Sequence, residues 1–269
     1  MPIIGIDYDK CINCQLCIKE DRERFWMDEE QNKVIFKDVD GTCSLCGHCI
    51  AVCPEDAIIY EDMGDESFTF KGIEKLETVI PYNNLYKFLR AHRSIRHYKK
   101  EKVPEDILKQ VLDIMQYAPT AGNLRYEKFV VLSDREKLRN LSEAITETLL
   151  NDPAMKAMEG KELETKKKYY EIPVFYDAPH VVIVYSLLDI QLTDNNIGNI
   201  ITYGRLAAQS LGLGTCWNGW IQIAAALNKK VLKLAGVRGK HLGAFTIGYP
   251  NIAFKRCPPR SRKPIKGLK

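Results

Sequence analysis

No apolar run in the 269 residues reaches about 18, the length a helix needs to cross a bilayer core, so no membrane-spanning segment and no membrane partner are expected. No secretory leader precedes the cysteines and their count of nine is odd, which argues against a disulfide framework and for reduced thiols in the cytoplasm. Histidine is scarce, at five, and His48 and His180 lack partners at catalytic spacing, so neither is assigned a role. There is no Lys/Arg stripe interleaved with stacking aromatics and no nucleic-acid motif, which excludes nucleic acid as the expected partner. The remainder is ordinary for a globular chain, 45% hydrophobic and 28% charged, and long enough for a small domain plus a larger one.

The net charge of +4 hides an asymmetry. Residues 1–62 carry 6 Lys and Arg against 14 Asp and Glu, a net of −8, whereas residues 81–269 carry 31 against 17, a net of +14. Halves of opposite sign attract one another and select partners by charge. Between them the polar, Gly-containing stretch Glu61 to Glu66, closed downstream by Pro81, marks a linker over 63–80, with domains at 1–62 and 81–269. The stretch Lys255 to Lys269 holds seven basic residues and no acid; it reads either as a phosphate-holding tail or as a solvated charge run.

Seven cysteines precede residue 54 in two runs of matching spacing, Cys11-x2-Cys14-x2-Cys17 and Cys43-x2-Cys46-x2-Cys49-x3-Cys53-Pro54. Three thiolates two residues apart suit three corners of an iron-sulfur cubane, the fourth ligand coming from elsewhere in the chain. Zinc sites favour two separated Cys-x2-Cys pairs instead. The runs resemble the two-cluster bacterial ferredoxins from about Ile3 to Tyr60. That resemblance gives Cys11, Cys14, Cys17 and Cys53 to one [4Fe-4S] cluster and Cys43, Cys46 and Cys49 to the other. The fourth ligand of the second cluster falls at Asp21, where Asp21-Arg22 replaces Cys-Pro. Four alternatives stand there: Asp21 ligates through oxygen, water or another thiolate fills the corner, the corner iron is missing and the cluster is [3Fe-4S], or Asp21 is a solvated carboxylate. Cys216 reads as a small buried hydrophobe and Cys257 as a loop thiol.

Beyond the linker, helix and strand patterns mix. Tyr82 to Ala91 and Pro104 to Tyr117 show helical spacing, the second opened by Pro104 with Glu105 and Asp106 in its first turn. Phe129 to Leu132, Val181 to Tyr185 and Gly243 to Gly248 read as strands. Ser133 or Asp134 caps a helix running to about Leu150, and Asp194 to Leu211 reads as a central helix apolar on most faces. The fold class is α+β, a sheet covered by helices. The aromatic stretch Lys168 to Tyr176 reads either as a lid or as packing beside a strand, and Trp217, Trp220 and Tyr203 either as pocket border or as core.

Three segments here carry a second resemblance. His92-Arg93-Ser94-Ile95-Arg96-His97-Tyr98, Ala118-Pro119-Thr120-Ala121-Gly122-Asn123 and Leu211-Gly212-Leu213-Gly214-Thr215-Cys216-Trp217-Asn218-Gly219 resemble, in order, the Arg-Arg-Ser, Ala-Pro-Ser and Gly-rich loop motifs of the FMN-dependent nitroreductase family, the match running from about Tyr82 to Pro264. The resemblance implies an FMN site from His92, Arg93, Ser94, Arg96, Pro119, Thr120, Asn123, Trp217, Asn218, Gly219, Arg260 and Arg262. Arg93, Ser94, Arg96, Arg260 and Arg262 suit the phosphate. Arg96 is placed at the N1/O2 edge of the ring, Asn123 at the ring edge or ribityl chain, and the Gly219 N–H near N5 and O4. No catalytic side chain is implied, since flavin N5 carries the chemistry. Two departures stand out: His92 replaces Arg, and Arg125-Tyr126-Glu127 replaces Gln-Pro-Trp in the pocket wall.

The implied protein is a homodimeric FMN oxidoreductase with a ferredoxin module. Its donor is reduced ferredoxin or NAD(P)H, and its acceptor a nitroaromatic, quinone or similar electron-poor molecule. Two rivals remain: an electron-carrier or docking protein without turnover, and a flavin reductase specialised for dehalogenation or desaturation of a metabolite.

Overall fold

Alternation of buried and exposed residues builds four short strands near the N-terminus. In this computed structural model, which describes residues 3–64, 67–69, 72–73, 75–239 and 241–267, β1 (Ile3–Ile6) is followed by helix α1 (Leu16–Glu20), β2 (Phe25–Asp28), β3 (Lys33–Phe36), α2 (His48–Val52) and β4 (Ile58–Tyr60). β1 pairs antiparallel with β4, and β2 with β3. Residues 1–79 with 122–124 form one unit, and residues 80–121 with 125–269 the other.

The core of the first unit is small: Ile3, Ile6, Phe25, Val34, Ala57 and Ile58, with Cys11, Cys17, Cys43, Cys49 and Cys53 packed at its margin. The two cysteine runs adopt one backbone turn twice. Asn13 and Gln15 flank Cys14 at φ 58° and 59°, and Leu45 and Gly47 flank Cys46 at φ 55° and 74°. Gln15 and Gly47 then each begin a five-residue helix, α1 and α2. Left-handed backbone at non-Gly residues carries a cost of about 1–2 kcal/mol each, so recurrence at equivalent positions marks an imposed geometry.

In the second unit, α3 (Tyr82–Ala91) and α4 (Glu105–Met115) lead into β5 (Glu127–Leu132); α5 (Arg135–Asn151), α6 (Pro153–Lys166), β6 (His180–Ser186), α7 (Thr193–Ser210), β7 (Gly214–Trp217), α8 (Gly219–Leu227), α9 (Lys229–Leu234) and β8 (His241–Gly248) follow. The sheet order is β5-β6-β8-β7, every pair antiparallel. Val181 to Val184 of β6 are all buried, because both faces of the sheet are covered. Val181 and Ile183 point into a core with Leu141, Ile145 and Ile221, whereas Val182 and Val184 point into one with Val111, Met115, Ile197 and Ile201. Alternate residues of one strand therefore serve two helical layers.

The expected strands all form, β5 and β8 beginning two residues earlier than read. Asp134 caps α5 by accepting from Lys137 N at 2.8 Å, in preference to Ser133, whose hydroxyl lies 2.7 Å from His180 Nδ1. The segment read as a Gly-rich loop contains a strand, β7, and the first residue of α8. Helix α6 gave no periodic signal, since it buries only Gly160 and Leu163; Asp152 caps it and Pro153 opens it. In Lys168 to Tyr176 the packing reading holds: Ile172, Val174 and Phe175 are fully buried. Helix α3 buries no residue, and Tyr82, Leu85, Tyr86 and Leu89 are exposed. Among the described residues no helix is long and apolar enough to cross a membrane.

Candidate functional site

The segment after α3 lies along β7. Ile95 N donates to Thr215 O at 2.9 Å, and Ser94 bridges Thr215 in parallel. The Tyr98 hydroxyl donates to Ile95 O at 2.7 Å and lies 2.7 Å from Thr246 Oγ1 on β8. Gly214 makes the approach possible, because a Cβ there would stand 2.7–2.8 Å from three atoms of Ile95. This pins the backbone of residues 94–98 to the sheet and presents Arg93, Ser94 and Arg96 from one turn. The Arg96 guanidinium sits 5.6 Å from the Tyr176 ring centre, and Tyr170 Oη donates to Arg96 O. His92 Nδ1 lies 2.5 Å from Gln209 Oε1 of α7; burial pushes its pKa down, with Arg205 and Arg93 adding to the effect. A cavity of about 210 Å³ beside this turn is lined by His92, Arg93, Gln209, Gly214 and Thr215.

β7 runs into α8 through Asn218, which is buried and structurally committed. Its N–H donates to Ala244 O, its Nδ2 to Val174 O at 2.7 Å, and its Oδ1 accepts from Ile221 N. Trp217 likewise directs its indole N–H to Gln222 Oε1 at 2.9 Å. Gly219 is the first residue of α8, so its N–H has no acceptor within the helix, and the space a Cβ would enter is open.

The Ala118 to Asn123 loop is anchored to α7. Ala121 N donates to Asn196 Oδ1, whose Nδ2 donates to Glu127 Oε1, and Asn199 Nδ2 donates to Pro119 O. Thr120 Oγ1 accepts from Arg125 N at 3.2 Å. Glu127 Oε2 is buried without a partner, beside a cavity of about 70 Å³ that Thr120 and Arg125 also line. Asn123 groups with the first unit, where its Nδ2 donates to Ser44 O and Leu45 O at 3.0 and 2.9 Å.

The tail arginines are not brought to Arg93. Arg260 and Arg262 are exposed and line a separate cavity of about 690 Å³ with Tyr82, Tyr86 and Leu89 of α3. Cys257, read as a loop thiol, is exposed and donates to Arg90 O; Cys216 is buried, and His180 is a structural residue whose Nε2 accepts from Val103 N. Sequence reading passed over Arg205, Gln209 and Asn196 and met Glu127 only as part of the altered pocket wall; only the i, i+4 spacing of Arg205 and Gln209 on α7 hinted at a shared polar face.

In the first unit the cysteines separate into two groups. Cys11, Cys14, Cys17 and Cys53 line one cavity with Ile6, Ile12, Val34 and Ile58, and Ala57 N donates to Cys53 Sγ at 3.3 Å. Cys43, Cys46 and Cys49 line another together with Asp21. All seven thiols are free, and burial pushes Cys17 up and Cys49 up to about 11. Asp21 Oδ1 accepts from Glu23 N and Arg24 N, and its Oδ2 from Arg24 Nη1 at 2.9 Å. Among the described residues no three His, Cys, Asp or Glu side chains converge closely enough to hold a single metal ion.

The family comparison bears on the second unit. A family model described as "Nitroreductase family" matches residues 89–249. An iodotyrosine deiodinase of Thermotoga neapolitana is 24% identical over 134 residues, 49% of this chain and 71% of that protein. An NADH dehydrogenase of Thermus thermophilus is 36% identical over 69 residues, 26% of this chain and only 34% of that protein. A nitroreductase of Bacteroides fragilis, solved with bound FMN, superposes with a TM-score of 0.56 at 23% identity, covering 70% of this chain and 98% of the other, which shows that the α+β fold is shared.

Proposed function

The chain belongs to the nitroreductase family, and from that premise we propose that it is an FMN-dependent oxidoreductase whose N-terminal unit carries two iron-sulfur clusters as its electron relay. One observation carries the reading: the basic segment Arg93 to Arg96 is hydrogen-bonded to β7, which leads through Asn218 to Gly219, whose N–H has no acceptor within its helix. Cation donors for a phosphate and a backbone donor for a ring edge thus sit at opposite ends of one rigid element. The domains are assigned as 1–62, a linker at 63–80, and 81–269.

Arg93 and Ser94 would hold the phosphate, and Arg96 would set positive charge at the N1/O2 edge. Gly219 would donate its N–H at N5 and O4, while Asn218, as helix cap, fixes where that N–H points. Pro119 and Thr120 lie on the anchored loop that would border the ring; Trp217 supplies packing, its N–H being engaged. When bound, FMN supplies two-electron chemistry at N5 and accepts electrons singly. No acid or base from the chain is needed on this account.

For the clusters, the repeated left-handed turns and the four cysteines that line one cavity support the reading that Cys11, Cys14, Cys17 and Cys53 would hold one cluster. A core of six buried side chains is also little for a domain of about 60 residues, a size at which metal commonly supplies the missing stability. The second group offers three thiolates and Asp21, which leaves [4Fe-4S] with a non-cysteine ligand or [3Fe-4S].

The exposed apolar face of α3 favours a homodimer. NAD(P)H, named for the Thermus relative as NADH, or reduced ferredoxin would donate; a nitroaromatic or quinone would accept. The deiodinase relative favours a second reading, reductive dehalogenation in a pocket altered at Arg125 and Tyr126. Anaerobic purification with flavin, iron and sulfide analysis, then turnover with each donor and acceptor, tests the proposal. Protein without flavin would overturn it in favour of an electron carrier, and flavin without iron and sulfide would remove the relay.

A further inference from the structure

Arg205 projects from α7 between buried Gly204 and Ala208, outside all three motif segments. Its Nε donates to Thr215 Oγ1 at 3.3 Å, so its head lies against the residue that pairs with Ser94 and Ile95. Burial pulls its pKa below the usual guanidinium value. Among the described residues no carboxylate forms an ion pair with it. A half-buried charge without a counter-charge is unfavourable unless an anion joins it.

Arg93 carries a second positive charge to the same place. Arg93 lines the cavity that is also lined by Thr215, the acceptor of Arg205 Nε, and burial first, then the charges of Arg205 and Arg93, push the pKa of His92 down. The adjoining cavity, about 210 Å³, has no acidic residue in its lining and is closed on its other side by Pro250, Ile252 and Phe254. Arg93 in the lining, Arg205 held against Thr215 and an apolar wall suit a phosphate monoester, with the fork of an arginine favoured over a lysine for that geometry.

We propose that Arg205 is a phosphate-binding residue, which with Arg93 grips the phosphate of FMN and makes the chain select FMN over riboflavin. The inference rests on the FMN reading above but concerns a residue that reading does not use. The nicotinamide nucleotides offer the same chemistry through the 2′-phosphate of NADPH, and the test separates the two.

Full-length protein stripped of flavin is titrated with FMN and with riboflavin by flavin fluorescence, as wild type, Arg205→Gln and Arg205→Lys. Arg205→Gln should weaken FMN by about tenfold to a hundredfold, the worth of a hydrogen bond to a charged group, and leave riboflavin unmoved. Arg205→Lys keeps the charge and near-native bulk, and should weaken FMN only a few-fold; it also carries the test if the Gln variant does not fold. Parallel losses for both flavins, or none, would mean a structural role through Thr215 and overturn the inference. A collapse of NADPH-over-NADH preference with FMN selectivity intact would give the site to the nucleotide and overturn it too. Wild-type protein that binds neither flavin would instead overturn the function proposed above.

Discussion

Gly214→Ala tests whether the basic turn and β7 act as one element. The added methyl would lie 2.7 Å from Ile95 Cγ1 and 2.8 Å from its Cβ and Cγ2, all inside van der Waals contact. Ile95 is nearly buried and its N–H is held by Thr215 O at 2.9 Å, so it can retreat only by stretching that bond and the neighbouring Ser94 bridge. Overpacking of this kind costs about 1–3 kcal/mol, and loss of the hydrogen bond would add about 1 kcal/mol. Urea unfolding followed by far-UV circular dichroism, whose signal comes mainly from the helices of the second unit, should show that loss, and FMN affinity should fall with it. Ile95→Ala alone should cost about 2–5 kcal/mol as a buried truncation. It removes two of the three crowding atoms, so the double variant should be more stable than the sum of the singles by about 1 kcal/mol. Wild-type stability and FMN affinity in Gly214→Ala would refute the argument, because the turn and strand would then be free to part without consequence.

Arg96→Ala should weaken FMN by about 1.5–3 kcal/mol in fluorescence titration; unchanged affinity would remove Arg96 from the site. Asp21→Cys should shift the electron paramagnetic resonance spectrum of the second cluster and lower its potential, since thiolate donates more charge to iron than carboxylate. An Asp21→Ala protein with unaltered spectrum and iron content would show that Asp21 serves only to hold Arg24. Asp189 and Asp194 accept from the His241 ring nitrogens, the Asp189 contact first, and raise the pKa of His241 above its ordinary value. Its contribution to stability is therefore fully present below the unfolded value and lost as pH rises through the folded one. His241→Gln should flatten the fall in stability as pH rises above the ordinary imidazole value, and an unchanged slope would show that the contacts contribute nothing.

Much of the chemistry was legible in residue order alone. The cysteine spacing is local, so it survives as a pattern whatever the rest of the chain does, and Asn13, Gln15, Leu45 and Gly47 show it as a repeated backbone turn. The strands β5, β6 and β8 announced themselves as apolar runs because helices cover both faces of the sheet, and α7 as a helix apolar on most faces because it packs Ile197, Ile200, Ile201 and Ala208 into the core. Helix α6 was silent for the opposite reason, as it buries too little to impose a period.

What residue order did not contain was which side chains meet. Strand order β5-β6-β8-β7 joins segments far apart in the chain, and only that pairing sets Thr215 between Ile95 and Ile247. The same packing commits Asn218 to capping, ties Asn196 to Glu127, and delivers Arg205 from the centre of a helix to the edge of the basic turn. It also keeps Arg260 and Arg262, which composition had grouped with Arg93, at a different cavity. Propensity and spacing act over a few residues, whereas a binding site is assembled by contacts that form only when both faces of the sheet are buried at once.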